Sequence, residues 1–498
     1  MAPSSVLARW RAQVASSRTA VLDAAGEHSY AALDARARAV AGVLLQGRAT
    51  LAGERVALLA DPGAPFVEAL YGIFLAGGCA VVLSPLHPPA ESSYFCEDAE
   101  VRALLVGESQ RAKVPPLGAG VRVLGLEEAR EAPLGAVETQ PTDDDPALQI
   151  YTSGTTGKPK GAVLTHGNLG AQQAALGEAW GMRQDDVLLH CLPLHHVHGL
   201  SIAMLDALGA GGCVRFVAYE AARVWETLGA CTVFMAVPTI YAKLFAAYDA
   251  ADEATRARWA AHAVQLRLAT SGSAALPVGL ASRWRELTGH IPLERFGMTE
   301  IGVALSNPLE PGLRRAGHVG WPLPGVEVRV VDEGGQEAQS GELWVRGPSV
   351  FPGYHRREEA TRAAFADAAG VRWFRTGDTV QREPDGCVRI LGRTSVDILK
   401  SGGYKLSALE LEELLREHPA VGEVAVVGVP DDVWGERVVA CVVPRAGAEA
   451  ACTEEALRSF AKERVAAYKV PKQVVLLPEL PRNAMGKVVK PELVKRLR

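Results

Sequence analysis

Residues 151–161 read YTSGTTGKPKG. Gly154, Gly157 and Gly161, the hydroxyl residues Thr152, Ser153, Thr155 and Thr156, and the lysines Lys158 and Lys160 share one short segment. Glycine lets a backbone come close to phosphate oxygens, hydroxyls add donors, and lysine adds positive charge. The pattern is not a Walker A loop: Gly154 and Gly157 are only two residues apart, and Pro159 follows Lys158 where that loop has Ser or Thr. A phosphate-holding loop is expected here. A second dense string runs from His190 to Gly199 and contains His195, His196 and His198. Imidazole is a common metal ligand. No acidic or cysteine partner stands at metal-site spacing, so a metal reading is weak, and His190 is expected to be an ordinary core or surface histidine.

The phosphate loop needs a scaffold. An apolar run precedes it and a strand at 162–164 follows. Runs at 55–60, 80–83, 101–106 and 121–124 also read as strands, with helical patterns such as Tyr30–Leu45 among them. This alternation predicts an α/β architecture with largely parallel sheets covered by helices. After about Pro324 the texture becomes β-rich, with candidate strands at 326–331, 341–345 and 388–391. From Ser407 a smaller α+β unit is predicted, with helices at 409–417 and 456–464 and strands at 424–429, 438–443 and 474–477. A domain boundary is expected near 393–397, giving domains 1–393 and 394–498.

Composition sets outer limits. The 498 residues suggest about three units of ordinary size. A net charge of −5 gives no general electrostatic reason to bind nucleic acid or an anionic membrane. The eight cysteines form no C-x-x-C pair, which fits reduced thiols in a cytosol-like compartment. The stretch 69–86 is uncharged, but Gly77 and Gly78 interrupt it; a helix, a glycine turn and a buried strand are expected, not a membrane span. Arg9, Arg11 and Arg18 with no acid before Asp23 predict a basic amphipathic first helix, with a transit peptide as the lesser reading.

The loop YTSGTTGKPKG resembles the phosphate-loop signature of the acyl-adenylate-forming superfamily, which includes acyl-CoA synthetases, peptide-synthetase adenylation domains and luciferases. RFGMTE at 295–300, Thr376-Gly377-Asp378, Gly392-Arg393, Ser401-Gly402-Gly403-Tyr404 and NAMGK at 483–487 match its later motifs in order. The resemblance implies a large N-terminal domain of α/β sheets with a β-rich subdomain, and a small mobile α+β C-terminal lid. It implies that Thr152, Ser153, Gly154, Thr155, Thr156, Gly157, Lys158 and Lys160 hold the phosphates of ATP. Asp378 is expected to take the ribose hydroxyls, with Arg393 beside it. Phe296 is expected to stack on adenine, with Gly272, Ser273 and Ala274 lining its other face and Gly297, Met298 and Thr299 nearby. Glu300, with Thr155, supplies hard oxygen ligands for Mg²⁺. Lys487 is the expected catalytic lysine of adenylation, and His196 the catalytic histidine where acyl pocket and pantetheine tunnel meet. Gly402 and Gly403 line that tunnel for CoA; Lys400, Lys405, Lys469 and Lys472 are candidates for its phosphates.

HHVHGL and the arginine before FGMTE resemble the malonyl-CoA synthetase subgroup. A dicarboxylate leaves a second carboxylate to be paired in the site, and a guanidinium does this in a bidentate fork. Arg295 is expected to make that pair with His198, while Val197 and Met298 shape the space around C2. The hinge departs from the family pattern: Gly392-Arg393-Thr394-Ser395-Val396-Asp397 is one residue longer, and Asp397 is expected to take its last acidic position. The implied activity converts malonate, with methylmalonate as a further substrate, and CoA to malonyl-CoA at the expense of ATP. The alternatives are a ligase for another short- or medium-chain or aryl acid, and an adenylation enzyme that loads a carrier protein. Partners are expected to be small molecules, with no nucleic acid. The cytoplasm is the expected compartment, the mitochondrial matrix the lesser one.

Overall fold

The computed structural model describes residues 5–497 apart from 135, 136, 138, 153–157, 403, 432 and 483–487, and for Lys405 the backbone alone. The chain forms two compact units. The first comprises residues 1–276, 280–327 and 345–374; the second comprises 277–279, 328–344 and 375–498.

Two large sheets build the first unit. In one, Pro146–Thr152, Cys79–Val82, Arg55–Leu59, Ala103–Val106 and Arg122–Gly125 lie side by side and parallel. Lys160–Thr165 and Gly353–Tyr354 add antiparallel at one edge. In the other, Leu293–Met298, Leu268–Ser271, Val233–Ala236, Val187–His190, Cys213–Phe216 and Thr19–Asp23 run parallel, with antiparallel strands at both margins. The central strands, such as Ala103–Val106, Val233–Ala236 and Leu268–Ser271, are short and buried throughout, as strands covered on both faces are. The strand and helix expectations for this unit are met to within one or two residues at each end.

Helices supply the cover. Ala64–Leu75 is buried on nearly every face and packs on Tyr30–Leu45. The two axes come close because residue 72 is glycine: a Cβ there would lie 2.7 Å from Val40 Cβ. The uncharged stretch 69–86 is the end of this helix, the Gly77-Gly78 turn and the strand Cys79–Val82. Among the described residues no helix is long and apolar enough to cross a membrane. The first helix, Val6–Arg11, is basic and amphipathic; its Trp10 is buried and donates from Nε1 to Asp34 Oδ1 at 2.9 Å.

The second unit is an α+β module. Tyr404–Ser407, Ile398–Ser401, Gly435–Pro444 and Val421–Asp431 form an antiparallel run, and Gln473–Leu476 joins Gly435–Pro444 in parallel. One face buries Val424, Val426, Ala440 and Val442 under Ala408–Arg416 and Glu454–Lys462; the other buries Val427, Val439 and Cys441 with Leu493 of the helix Lys490–Leu497. This last helix was not anticipated, because KPELVKRL offers only a short apolar stripe between charges. Ser407 caps the helix that follows it, its Oγ accepting from Glu410 N at 3.1 Å.

His166, first residue of the helix His166–Trp180, is 1% exposed and lies edge-on to Phe74. Neither ring nitrogen meets a hydrogen-bond partner among the described residues. Burial pushes the imidazole down to about 4, against a smaller upward pull from Asp145 and Asp143. The unfolded chain therefore binds, between about pH 4 and 6.5, a proton that the folded chain refuses, and this contribution to stability falls as the pH drops through that window. His166→Phe removes it. Urea unfolding should show the variant gaining on the wild type as the pH falls from 7 to 5, by at most about 1.4 kcal/mol per pH unit. Parallel pH profiles for the two proteins would overturn this.

Candidate active site

The phosphate loop hangs from a hairpin. Pro146–Thr152 and Lys160–Thr165 pair antiparallel, with Thr152 opposite Lys160 and Tyr151 opposite Gly161. The strand ends therefore bring the two ends of the loop together. Ser153, Gly154, Thr155, Thr156 and Gly157 lie outside the described residues. The outgoing end is held by side chains from elsewhere. Tyr94 donates its hydroxyl to Pro159 O at 2.8 Å, and Lys158 Nζ stands 5.3 Å from the Tyr94 ring centroid. Lys160 Nζ lies 4.4 Å above the Tyr354 ring. Tyr354 in turn donates to Glu300 Oε1 at 2.7 Å. One tyrosine thus ties a loop lysine to the candidate metal carboxylate. Glu300 is buried in the turn after Leu293–Met298, and its carbonyl accepts from Phe351 N at 2.8 Å. Its buried oxygens suit a hard cation that completes its shell with phosphate and water.

The residues expected at the acyl end of the site are built on the same strand. Arg295 sits opposite Ser306 in the antiparallel pairing of Leu293–Met298 with Gly302–Ser306, and is 5% exposed. Its guanidinium lies against the backbone of residue 272, where a Cβ would stand 2.3 Å from Arg295 Cζ and Nε, so that any larger residue there displaces the guanidinium. Nε and Nη2 of Arg295 meet no hydrogen-bond partner among the described residues. Burial pulls the group down to about 10, so it stays cationic at neutral pH. His198 is also buried, with Nδ1 3.1 Å from Ser273 Oγ and Nε2 lacking a partner among the described residues. Burial, then the charge of Arg295, holds this imidazole well below its ordinary value and therefore neutral. Ser273 has φ +70°, a left-handed conformation that costs a non-glycine residue energy, and it carries the hydroxyl that orients His198.

His198 opens a turn-and-a-half of π-helix, His198–Leu205, whose residues are all buried. Such wide turns gather at functional sites. Val197 precedes it, half-buried. The ring of His196 lies 4.0 Å from that of His195, which burial pushes down to about 3. His190 is a core residue, bonded from Nε2 to Gly199 O at 2.8 Å. Phe296, Gly297, Met298 and Thr299 are half-buried and follow Arg295 in order, while Ala274 is exposed. A bulge between Phe296 and Gly297 shifts the strand, and a Cβ at 297 would meet Gly302 O at 2.1 Å. Among the described residues no group of three or more His, Cys, Asp or Glu side chains is arranged to hold a metal.

The remaining candidates belong to the second unit. Asp378 and Arg393 face one another where Val371–Arg382 pairs with Val388–Arg393, with Arg393 Nε 3.1 Å from Asp378 Oδ1. Thr376 Oγ1 accepts from Asp378 N at 3.1 Å and donates to Leu343 O at 2.7 Å, so the turn is fixed from both sides. Gly377 there has φ +70°. Gly402 has φ +58°, and a Cβ on it would stand 3.1 Å from the Trp434 ring. Lys472 covers that ring at 4.2 Å, Lys469 is paired with Glu410 at 2.7 Å and Lys400 with Glu333 at 3.3 Å. Gly403 and Lys487 lie outside the described residues, as does the side chain of Lys405. Sequence reading missed Tyr94, Tyr354 and the orienting role of Ser273. A tyrosine far along the chain from its partner carries no local signal.

The model of the AMP-binding enzyme family matches residues 8–355, and that of the AMP-binding enzyme C-terminal domain matches residues 410–487. The chain belongs to the AMP-binding enzyme family. The mitochondrial malonate–CoA ligase of Bos taurus is 43% identical to it, over 98% of this chain and 89% of its own length. The malonate–CoA ligase of Arabidopsis thaliana is 40% identical, over 91% of this chain and 79% of its own. The crystal structure of ATP-bound MatB from Rhodopseudomonas palustris superposes with a TM-score of 0.88 at 36% identity, covering 99% of each chain. These likenesses confirm the expected family and the α/β fold.

Tyr354→Phe keeps the ring beneath Lys160 but takes the hydroxyl from Glu300. Stability should fall by about 1.5–3 kcal/mol, the usual worth of a hydrogen bond to a charged group, with ring-dependent packing intact. An unchanged urea midpoint would show that this bond does not hold the turn.

Proposed function

We propose that this chain is an ATP-dependent malonate–CoA ligase, with methylmalonate as the alternative substrate, working through an acyl-adenylate. The observation that carries the proposal is the buried guanidinium of Arg295, two of whose nitrogens lack partners among the described residues, beside a neutral His198. A buried cation of this kind calls for an anion, and the carboxylate of a dicarboxylic acid remote from the reacting centre supplies one. The sequence likeness to malonate–CoA ligases supports the same reading.

In the first half-reaction, a carboxylate oxygen of malonate attacks the α-phosphorus of ATP and pyrophosphate leaves. The loop residues Thr152–Lys160 would hold the departing phosphates, and Asp378 with Arg393 the ribose. Arg295 and His198 would fix the distal carboxylate, with Val197 and Met298 bounding C2. Lys487 would offset the negative charge that grows at the α-phosphate. Glu300, with Thr155, would hold Mg²⁺, which supplies charge neutralisation of the phosphates. Such catalysis is chiefly positioning and electrostatic stabilisation. In the second half-reaction the CoA thiol attacks the acyl carbon and AMP leaves, with His196 at the tunnel and Gly402 and Gly403 along it. We place the boundary between adenylating body and lid at 393/394, with the pivot in 393–397. The proposed compartment is the cytoplasm, with the mitochondrial matrix as the alternative raised by the names of similar relatives.

The test is a panel of acids with purified enzyme. Malonate should exceed octanoate and benzoate in kcat/KM. Arg295→Met should lower kcat/KM for malonate by about 10²–10⁴, the equivalent of the roughly 3–5 kcal/mol lost when a buried charge pair is broken. The KM for ATP should barely move. A preference for octanoate or benzoate in the wild type would sink the proposal, and transfer to a carrier protein in place of CoA would change its second half.

A further inference from the structure

Lys490 is the first residue of the helix Lys490–Leu497 and is 9% exposed. A buried ammonium needs partners, and this one has two. Its Nζ donates to Asp397 Oδ1 and, at 2.7 Å, to Glu412 Oε1. Each partner is itself engaged. The other carboxylate oxygen of Asp397, Oδ2, accepts from Arg393 N at 3.0 Å, and the Asp397 carbonyl accepts from Ala408 N at 2.8 Å. Glu412 Oε1 also accepts from Val426 N at 2.9 Å, and Oε2 from Arg416 Nη2 at 3.2 Å. Burial alone would pull Lys490 down; Glu412 and Asp397 more than offset it, so its affinity for the proton is raised. Three pieces of chain thus converge on one ammonium: the turn 393–397, the helix Ala408–Arg416 and the C-terminal segment.

The C-terminal segment matters because of what it carries. Arg482 pairs with Val488 in an isolated bridge, and Val489 N donates to Pro481 O at 2.8 Å. The chain on either side of 483–487 is therefore brought together and leads straight into Lys490, three residues after Lys487.

We propose that Lys490 is a positioning residue for adenylation: its ammonium ties the start of the C-terminal helix, three residues beyond Lys487, to the hinge carboxylate Asp397 and to Glu412. This rests on the adenylation role given above to Lys487. Without the ammonium, Asp397 and Glu412 lose the cation they share, and the tie between the C-terminal segment and the turn 393–397 is lost.

The experiment compares two half-reactions in the full-length enzyme: malonate-dependent exchange of pyrophosphate into ATP, and CoA consumption from pre-formed malonyl-AMP. Lys490→Met should lower the kcat of exchange by about a hundredfold, the scale of loss from misplacing a catalytic group by an ångström. The KM for ATP should stay close to wild type, and the second half-reaction should be largely retained. Lys490→Arg should recover most of the exchange. In a Lys487→Ala background, Lys490→Met should add little. Should Lys490→Met fail to fold by circular dichroism, Lys490→Gln combined with Glu412→Gln keeps the local charge balance and should fold while still losing exchange. Equal losses in both half-reactions, unchanged exchange, or full additivity with Lys487→Ala would each overturn the proposal. If the wild type exchanges only with another acid, it is the malonate reading that fails, and Lys490 is judged by the same comparison with that acid.

Discussion

The first unit is organised around a positive charge kept out of water. Burying Arg295 is unfavourable by itself, and loss of water around the charged form lowers its affinity for the proton. The surroundings are shaped to tolerate it without neutralising it. Gly272 gives up its side chain so that the guanidinium can lie on the backbone. His198 is held neutral, which avoids a second cation, and its imidazole is aimed by a serine in a strained conformation. Such an arrangement sacrifices stability at one point and leaves room for an anion. It depends on the rigid strands on either side, since a mobile guanidinium would find water or a carbonyl instead.

The sheets explain why the chemistry falls where it does. Catalytic candidates stand at strand ends or in the turns that follow: Thr152 and Lys160 at the hairpin mouth, Arg295 within Leu293–Met298, Glu300 just after it, and His190 at the end of its strand, leading to the histidine string. Parallel strands buried on both faces leave little freedom for their termini, so side chains there inherit the precision of the core. Tyr354 shows the same economy, since it joins a loop lysine and Glu300 through its two ends, ring and hydroxyl.

Much of this was legible before any coordinates. Contiguous motifs were the readable part, because YTSGTTGKPKG and RFGMTE keep their functional groups adjacent along the chain. The alternation of short apolar runs with helical ones marked the α/β layers, and the glycine pair at 77–78 separated helix from strand. What stayed hidden depended on distance in sequence. Tyr94 meets Pro159, Tyr354 meets Glu300, and Lys490 meets Asp397 only because the fold brings them together. The π-helical turn at His198–Leu205 was also invisible, since its composition, HGLSIAML, is that of any buried helix. Ser273 looked like a lining residue, and its φ could be known only from the backbone.

Gly272 has a consequence for how this pocket can change over generations. The void left by its missing side chain is filled by Arg295, so the two positions behave as a single inherited character. A change that enlarges residue 272 has to be met by a shift of the arginine's guanidinium. Substitutions at 272 and at 295 are therefore felt at each other's position, across a distance of 2.3 Å.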